Sequence, residues 1–472
     1  MVNVLFLPEL REMLANGDLE EMQQFCTALN PARTAEFMDG LSHQEAWQIL
    51  KATDVARRAE IFQYFDYDRQ IALLSEEDPN EVAELIAELY ADDRVDLLQE
   101  MDQERVDLLL ALLPKDDRRE IQRLTQYAEG TAGALMTTEM ARLGEELTVR
   151  EALDELSRLG DELETIYYIY VVNQDQQLRG VVSGRQLISS LRRSGRTLAE
   201  LMETDVTTVL VTDDQESVAK KVEKFDLLAI PVIDQGGKLV GIITHDDIID
   251  VVREELTEDA QRFGGVTPLR DEYLKISLLL LSWKRGLWLT ILFFTALLTA
   301  FALKRYETAL DSFVWVVLFL PLIVSTGGNS GNQAATLVIT ALTSGELSVK
   351  DWLKVMMREW VVGLILGAIL ASIGIFIARL FAPSWQEALV VPITLLMVVM
   401  MGCMAGSMLP LIFRRFGLDP ALMANPFIAG IMDITGIVIY MNVALLIIGI
   451  PEVAPPPELA TPEILPATLN RP

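Results

Sequence analysis

Two stretches in the C-terminal part of this 472-residue chain place polar side chains inside runs that are otherwise apolar. In PLIVSTGGNSGNQAATL, from Pro321, the glycines Gly327, Gly328 and Gly331 are interleaved with Asn329, Asn332 and Gln333. Glycines let two backbones approach closely or leave carbonyls exposed, and the amides bring oxygen acceptors into a setting that prefers Leu and Ile. In NPFIAGIMDITG, from Asn425, Asp433 is the one acid well inside an apolar run, and no Lys or Arg lies deep in any run to pair with it. If these runs cross lipid, Asp433 costs about 2.5 to 3.5 kcal/mol to insert even on a lenient scale. Its partner must then be water, an amide or a passing cation. The competing reading of the glycine-rich stretch is tight helix packing with internally satisfied amides.

A second pattern is acidic. Laid on a helical wheel at 100° per residue, the segment from Asp246 to Phe263 puts Ile249, Val252, Leu256, Ala260 and Phe263 on one face. Asp247, Asp250, Glu254 and Glu258 fall on the opposite one. Two carboxylates about 6 Å apart repel by roughly 3 kcal/mol at an effective dielectric near 20, and a divalent cation relieves that repulsion. A similar row, Glu84, Glu88, Asp92, Asp96 and Glu100, recurs at spacing four, unless a break near Asp92 begins a new helix there. A solvated helix face is the competing reading for both rows.

The elements that must position these residues follow from composition. Residues 1 to 275 hold 57 of the 68 carboxylates and 28 of the 39 Lys and Arg, and hence the whole net charge of −29. An acidic region of this strength repels phosphate backbones and argues against nucleic acid as a partner. Cys26 and Cys403 are too few for a disulfide framework, and the N-terminus lacks the basic start and long apolar core of a secretory signal. After residue 285, five spans read at roughly 286–304, 313–343, 352–381, 388–413 and 421–450. With the acidic half in the cytosol, Lys275, Lys284, Arg285, Lys350, Lys354, Arg358, Arg414 and Arg415 flank the spans inside. Lys304, Arg305, Arg379 and Arg471 stand outside, in accord with the positive-inside rule. Residues 1–130 read as short amphipathic helices, with DDRVDLLQEM from Asp92 nearly repeated by QERVDLLLAL from Gln103, which predicts a helical superhelix.

A second duplication is clearer: LRGVVSGRQLI from Leu178 aligns with LVGIITHDDII from Leu239, each after an alternating apolar strand and a turn. The order helix, strand, turn, strand, helix resembles a pair of CBS modules. Such pairs often hold adenine nucleotides through a Ser or Thr and an Asp three residues later. Thr244 and Asp247 meet that pattern, while the first copy has Ser183, Arg185 and then Gln186 where the acid would stand. The resemblance thus implies ATP as a possible ligand at Thr244, Asp247 and Arg185.

With GGNSGNQ, the NP…D segment, the CBS pair and the acidic helical region in this order, the chain resembles the MgtE magnesium channel family over essentially its whole length. The resemblance implies a multidomain α-helical membrane protein: a cytosolic superhelical N-domain (1–130), a tandem α/β CBS pair (131–245, divided near 197), a connecting or plug helix (246–270), a five-helix transmembrane domain (271–450) and a disordered extracytoplasmic tail (451–472). It implies a homodimer in the lipid bilayer of the cell membrane, with a pore between protomers lined by the second and fifth spans. The ion site would use Asp433, Asn332, Asn425, Gly327 and Gly328, with Mg²⁺ as substrate. Regulatory Mg²⁺ would bind Asp92, Asp96, Asp214, Glu216, Asp226, Asp247, Asp250, Glu254, Glu258 and Asp259, and Asp419 would link plug and pore. Mg²⁺ holds its octahedral water shell tightly, so a wide site that recognises the hydrated ion suits it. Cytosolic Mg²⁺ bridging the acidic rows would close the pore, and repulsion would open it when the ion is scarce. No Walker-type phosphate loop is present, which favours passive flux, and no enzymatic activity is expected. An intramembrane zinc protease is rejected, since His43 and His245 are the only histidines and no HExxH occurs. The rival reading is a membrane-anchored cation or nucleotide sensor that transports nothing.

Overall fold

The computed structural model of this protein describes residues 6–160, 163–269, 273–420 and 424–449, excluding the side chains of 424–426. The expected tail at 451–472, with Arg471, and the side chain of Asn425 lie outside the described residues. The chain forms two compact units, Met1–Glu254 and Glu255–Pro472.

The first unit opens with ten short helices: α1 (Leu7–Asn16), α2 (Leu19–Ala28), α3 (Pro31–Met38), α4 (His43–Leu50), α5 (Val55–Phe62), α6 (Tyr67–Glu76), α7 (Pro79–Ala87), α8 (Ala91–Gln99), α9 (Gln103–Leu112) and α10 (Lys115–Leu124). Their starts are local: Asp18, Asn30, Ser42, Asp54 and Asp78 accept from backbone N–H groups two or three residues on. Each helix is too short to bury its apolar stripe alone, so α3 packs on α5, α5 on α7 and α7 on α9, winding the superhelix that the near-repeat predicts. One arginine device recurs along it. Arg57, Arg69 and Arg105 each stand third in their helix and donate to carbonyls 31 and 28 residues upstream: Cys26 and Leu29, Met38 and Leu41, Leu74 and Glu77. These guanidiniums satisfy the orphan carbonyls where earlier helices end.

Next come α11 (Ala132–Leu135), β1 (Met140–Gly144), α12 (Val149–Leu159), β2 (Thr165–Val172), β3 (Leu178–Ser183) and α13 (Gly184–Ser189). The second copy is β4 (Val209–Leu210), α14 (Gln215–Phe225), β5 (Ala229–Ile233), β6 (Leu239–Thr244) and the start of α15 (His245–Phe263). In both three-stranded sheets the first strand runs parallel and the third antiparallel to the middle one. Reciprocal backbone bonds join the copies: Leu178 N–H donates to Gly237 C=O at 3.1 Å and Leu239 N–H to Gln176 C=O at 3.0 Å. The paired glycines of the duplication also have a steric cause. A Cβ on Gly180 would lie 2.7 Å from the Glu203 carbonyl oxygen, and one on Gly241 would lie 2.6 Å from that of Thr137.

The wheel reading of α15 gives Ile249, Val252, Leu256, Ala260 and Phe263 as the apolar face. The structure leaves Ile249, Val252, Leu256 and Ala260 exposed, packs Phe263 against the core of the second unit, and buries Ile248 and Val251 in the core shared by the helical region and the second CBS copy. Two apolar stripes lie side by side on this helix, and only the neighbours decide which one is covered.

The second unit contains α16 (Leu278–Arg305), α17 (Glu307–Ser312), α18 (Val314–Val317), α19 (Leu320–Thr343), α20 (Trp352–Phe381), α21 (Trp385–Ala388), α22 (Val390–Arg415) and α23 (Ala424–Ile448). Among the described residues, five of its helical stretches are long and apolar enough to cross a membrane. The first begins at Leu278, earlier than charge placement predicts, because Lys284 and Arg285 sit in its second turn. Helix α22 is central, packing against α20, α19 and α23, whereas α16 buries no residue and touches mainly α23. The contact of α19 with α22 is glycine on glycine. A Cβ on Gly402 would stand 2.6 Å from the Gly327 carbonyl oxygen, and one on Gly406 would collide with that of Gly331.

Candidate functional site

Within the first unit, two helix N-termini bring acid pairs to the same place. Asp92 and Asp93 occupy the first turn of α8, and Asp246 and Asp247 the first turn of α15. Carboxylates are favoured there by the helix dipole, but that gain is local and does not cancel repulsion between pairs. Glu164, just ahead of β2, joins them: single ligand oxygens of Glu164, Asp246 and Asp247 lie within 4.8 Å of one another.

The electrostatics are those of a site short of cations. Burial holds Asp92 well above the ordinary carboxylate range, with Asp247, Asp93 and Glu164 adding repulsion. Burial and then Asp93 and Asp247 push Asp96 up to about 6. Asp247 also rises to about 6 by burial, although Thr244 donates both its hydroxyl, at 2.6 Å, and its backbone N–H to it. Glu164 rises to about 8, through burial and Asp247, against hydrogen bonds from Thr137 and Thr244. Asp93, raised by burial, accepts from Gln63 Nε2 at 3.1 Å. Two oxygens stay orphaned: Asp92 Oδ1 and Glu164 Oε2 are buried without a hydrogen-bond partner. Oxygen donors alone, with excess negative charge and stranded lone pairs, form the donor set of a hard divalent cation.

Arginine serves the neighbouring acids instead. Arg94 of α8, 7 % exposed, donates to Glu139 at 2.6 Å and lies 3.7 and 3.9 Å from Asp117 and Glu120 of α10. Burial still pushes Glu139 up to about 7.

Thus the structure brings Asp92 and Asp96, from one row of the spacing pattern, together with Asp247 from the other, and the break at Asp92 is realised as the start of α8. Asp93, Glu164 and Asp246 join them unannounced. Glu164 lies outside any acidic periodicity, and only the strand after it carries it to the cluster; Asp246 is hidden in the wheel beside Asp247. Asp250 and Glu254 are exposed on α15. Asp214 is the N-cap of α14, Glu216 pairs with Lys220 at 2.6 Å, and Asp226 is the left-handed C-cap (φ 50°). Thr244 and Asp247 also form the N-terminal cap of α15. Ser183 and Gln186 repeat the device at α13, beside an exposed Arg185.

In the second unit, Asp433 lies half-buried in α23 and forms no ion pair among the described residues. Asn332 on α19 has its Oδ1 buried and unpartnered, as an oxygen awaiting a donor or a cation would be. Gly327 is taken up by packing, since its Cβ position meets Val398 at 2.5 Å and Met432 at 3.0 Å, while that of Gly328 is open. Helix α19 is unbroken through both, so their carbonyls belong to the helical ladder and the expectation of exposed backbone oxygens shifts to the side chains. Glu258, Asp259 and Asp419 also lie in this unit, Glu258 and Asp419 both on Arg262.

The chain thus joins five helical stretches apolar enough to cross a membrane, among the described residues, to an acidic superhelix and a CBS pair, the make-up of a membrane protein with a large soluble part. Comparisons agree. Residues 320–443 match the family described as a divalent cation transporter, MgtE; residues 29–130 match the MgtE intracellular N domain; residues 132–193 and 198–254 match CBS domains. A magnesium transporter MgtE of Thermus thermophilus is 39 % identical over 70 % of this chain and 72 % of its own, and one of Enterococcus faecalis 33 % identical over 69 % and 71 %. Among solved structures, the soluble part of a magnesium transporter covers 52 % of this chain and 97 % of its own, at 36 % identity and a TM-score of 0.50. The cytosolic domain of the Mg²⁺ channel MgtE in complex with ATP covers 51 % and 98 %, at 35 % identity and a TM-score of 0.48. The chain belongs to the MgtE family of magnesium transporters.

Proposed function

We propose that this chain conducts Mg²⁺ passively across the membrane and is closed by Mg²⁺ on the side of its soluble half. The observation that carries the transport reading is Asp433. An acid without an ion-pair partner in a helix apolar enough to span lipid is costly, and an anchor has no need of it. The orphaned oxygen of Asn332 supports the same path. Two copies of α19 and α23 facing each other would offer two Asp433 carboxylates and the amides of Asn332 to the waters of a hydrated ion, with Gly328 leaving room beside them. A pathway lined this way favours a divalent over a monovalent cation by charge. The membrane potential supplies about 2.3 kcal/mol per charge per 100 mV, twice that for a divalent ion, so no nucleotide hydrolysis is required.

The acidic cluster supports the gating reading. A divalent ion seated among Asp92, Asp96, Glu164, Asp246 and Asp247 replaces mutual repulsion with shared attraction, and so draws the superhelix onto the CBS pair. Helix α15 begins at that cluster, so an ion that orders its first turn acts on the element that the resemblance implies as the plug. We assign no share of this ion to Asp214, Glu216 and Asp226, whose carboxylates or backbones serve α14; Asp250 and Glu254, exposed on α15, are left for contacts made by a second copy. An adenine nucleotide using Thr244, Asp247 and Arg185 would compete with both the α15 cap and the cation for Asp247.

Mg²⁺ flux into proteoliposomes, with sensor-side Mg²⁺ varied, tests the reading. Wild-type flux suppressed by sensor-side Mg²⁺, and flux lost in Asp433→Ala, are the expected results. Folded wild-type protein that passes no Mg²⁺ under any condition makes it a membrane-anchored sensor instead.

A further inference from the structure

The far end of α15 is anchored in the second unit by a contact that uses a side-chain cation. Arg262 stands one turn after Glu258 and donates to its carboxylate, and its Nη1 reaches Asp419 Oδ2 at 2.7 Å. All three side chains are mostly enclosed, with exposures of 26, 26 and 28 % for Arg262, Glu258 and Asp419. The surroundings fix this end of the helix. Gly265 (φ 69°) returns its N–H to Arg262 C=O and Val266 to Gln261 C=O, closing the helix with a left-handed cap. The Gln261 side chain accepts from Leu269 N–H at 2.6 Å, and Phe263 packs against the core of the membrane helices.

The resemblance implies Glu258 as one of the regulatory-ion ligands and Asp419 as a link between plug helix and pore. Their near oxygens already converge on one guanidinium, whose planar fork suits two carboxylates and whose charge survives at any physiological pH. We propose that Arg262 is a tethered cation at this joint. It is a positioning residue that holds the end of α15 against the cytosolic entrance to α23 whether or not a divalent ion is present, so that ion control is exerted at the far end of the helix. This rests on the reading of α15 as the element that closes the pore. In it, Glu258 and Asp419 share an arginine, and the regulatory ion acts through the cluster around Asp92 and Asp247.

The experiment uses full-length protein in lipid nanodiscs and reads amide hydrogen exchange across residues 255–266 in EDTA, alongside Mg²⁺ flux in proteoliposomes. Arg262→Gln is expected to raise exchange there roughly ten-fold, since each charged hydrogen bond to an enclosed carboxylate is among the stronger single contacts. It is also expected to raise flux at low sensor-side Mg²⁺ and to shift the closing concentration upward. Arg262→Lys, which keeps the charge and discards the Nε–H that has no acceptor among the described residues, is expected to stay protected. The exchange Arg262→Glu with Asp419→Arg should restore protection lost in either single variant. Unchanged exchange in Arg262→Gln overturns the proposal, as does a Lys variant no better protected than the Gln one. If wild type shows no flux, the transport reading fails while exchange still decides the latch.

Discussion

At the scale of single residues, a carboxylate becomes informative when the fold denies it both water and a partner. Asp92, Asp96, Glu164 and Asp247 all have raised proton affinity, with burial as the first cause. The folded state therefore binds protons that the unfolded chain releases near its ordinary carboxylate values. Stability from these groups is fully present below about pH 4 and is lost as pH rises through about 6 for Asp96 and Asp247 and about 8 for Glu164. In EDTA, hydrogen-exchange protection factors in the first turns of α8 and α15, which remove the intrinsic base-catalysed rate, are expected to be lower at pH 8 than at pH 6. Millimolar Mg²⁺ should abolish the difference, and protection factors that are flat with pH in EDTA would count against the cluster. Of these residues, Asp92, Asp96 and Asp247 were legible in the sequence because helical spacing displays them. Glu164 was not, since its place depends on a strand pairing across the chain.

Among elements, the decisive contact is that of α19 with α22. Glycine in a helix interior costs about 0.5 to 1 kcal/mol relative to Ala, so four glycines at one crossing require a return, which is backbone approach and packing. Gly406→Ala would drive a methyl group into the Gly331 carbonyl. It is expected to destabilise the bundle by about 1 to 3 kcal/mol, the usual cost of overpacking, and to lower the melting temperature in detergent. Gly286→Ala, at an open position inside α16, meets no such clash and should leave melting the same or slightly higher. Within the GGNSGNQ stretch, Gly327 and Gly331 bring α22 close, and the Asn332 amide oxygen is buried without a hydrogen-bond partner among the described residues. The sequence pattern offered both packing and ion-path readings of this stretch, and the crossing geometry assigns Gly327 and Gly331 to packing.

For the whole molecule, α15 carries acids of the cluster in its first turn and Arg262 in its last. Replacing both Asp92 and Asp247 with Asn should raise the sensor-side Mg²⁺ concentration that closes the pore by about ten-fold or more, on the basis of roughly 1.4 kcal/mol of lost ion affinity. Dose-response of flux in proteoliposomes measures it, and an unchanged closing concentration would move the sensor elsewhere. Sequence alone determined the division into acidic and apolar halves, the superhelix, the CBS duplication and the five apolar helices, because each rests on local composition or a fixed period. It also singled out Asp433, whose cost in lipid depends only on its neighbours in the chain. The tertiary structure decided which stripe of α15 is buried, which acids share a site, and that an arginine stands between Glu258 and Asp419. Those outcomes depend on residues distant in sequence, and repulsion or pairing between charges is set by separation in space, which no periodicity encodes.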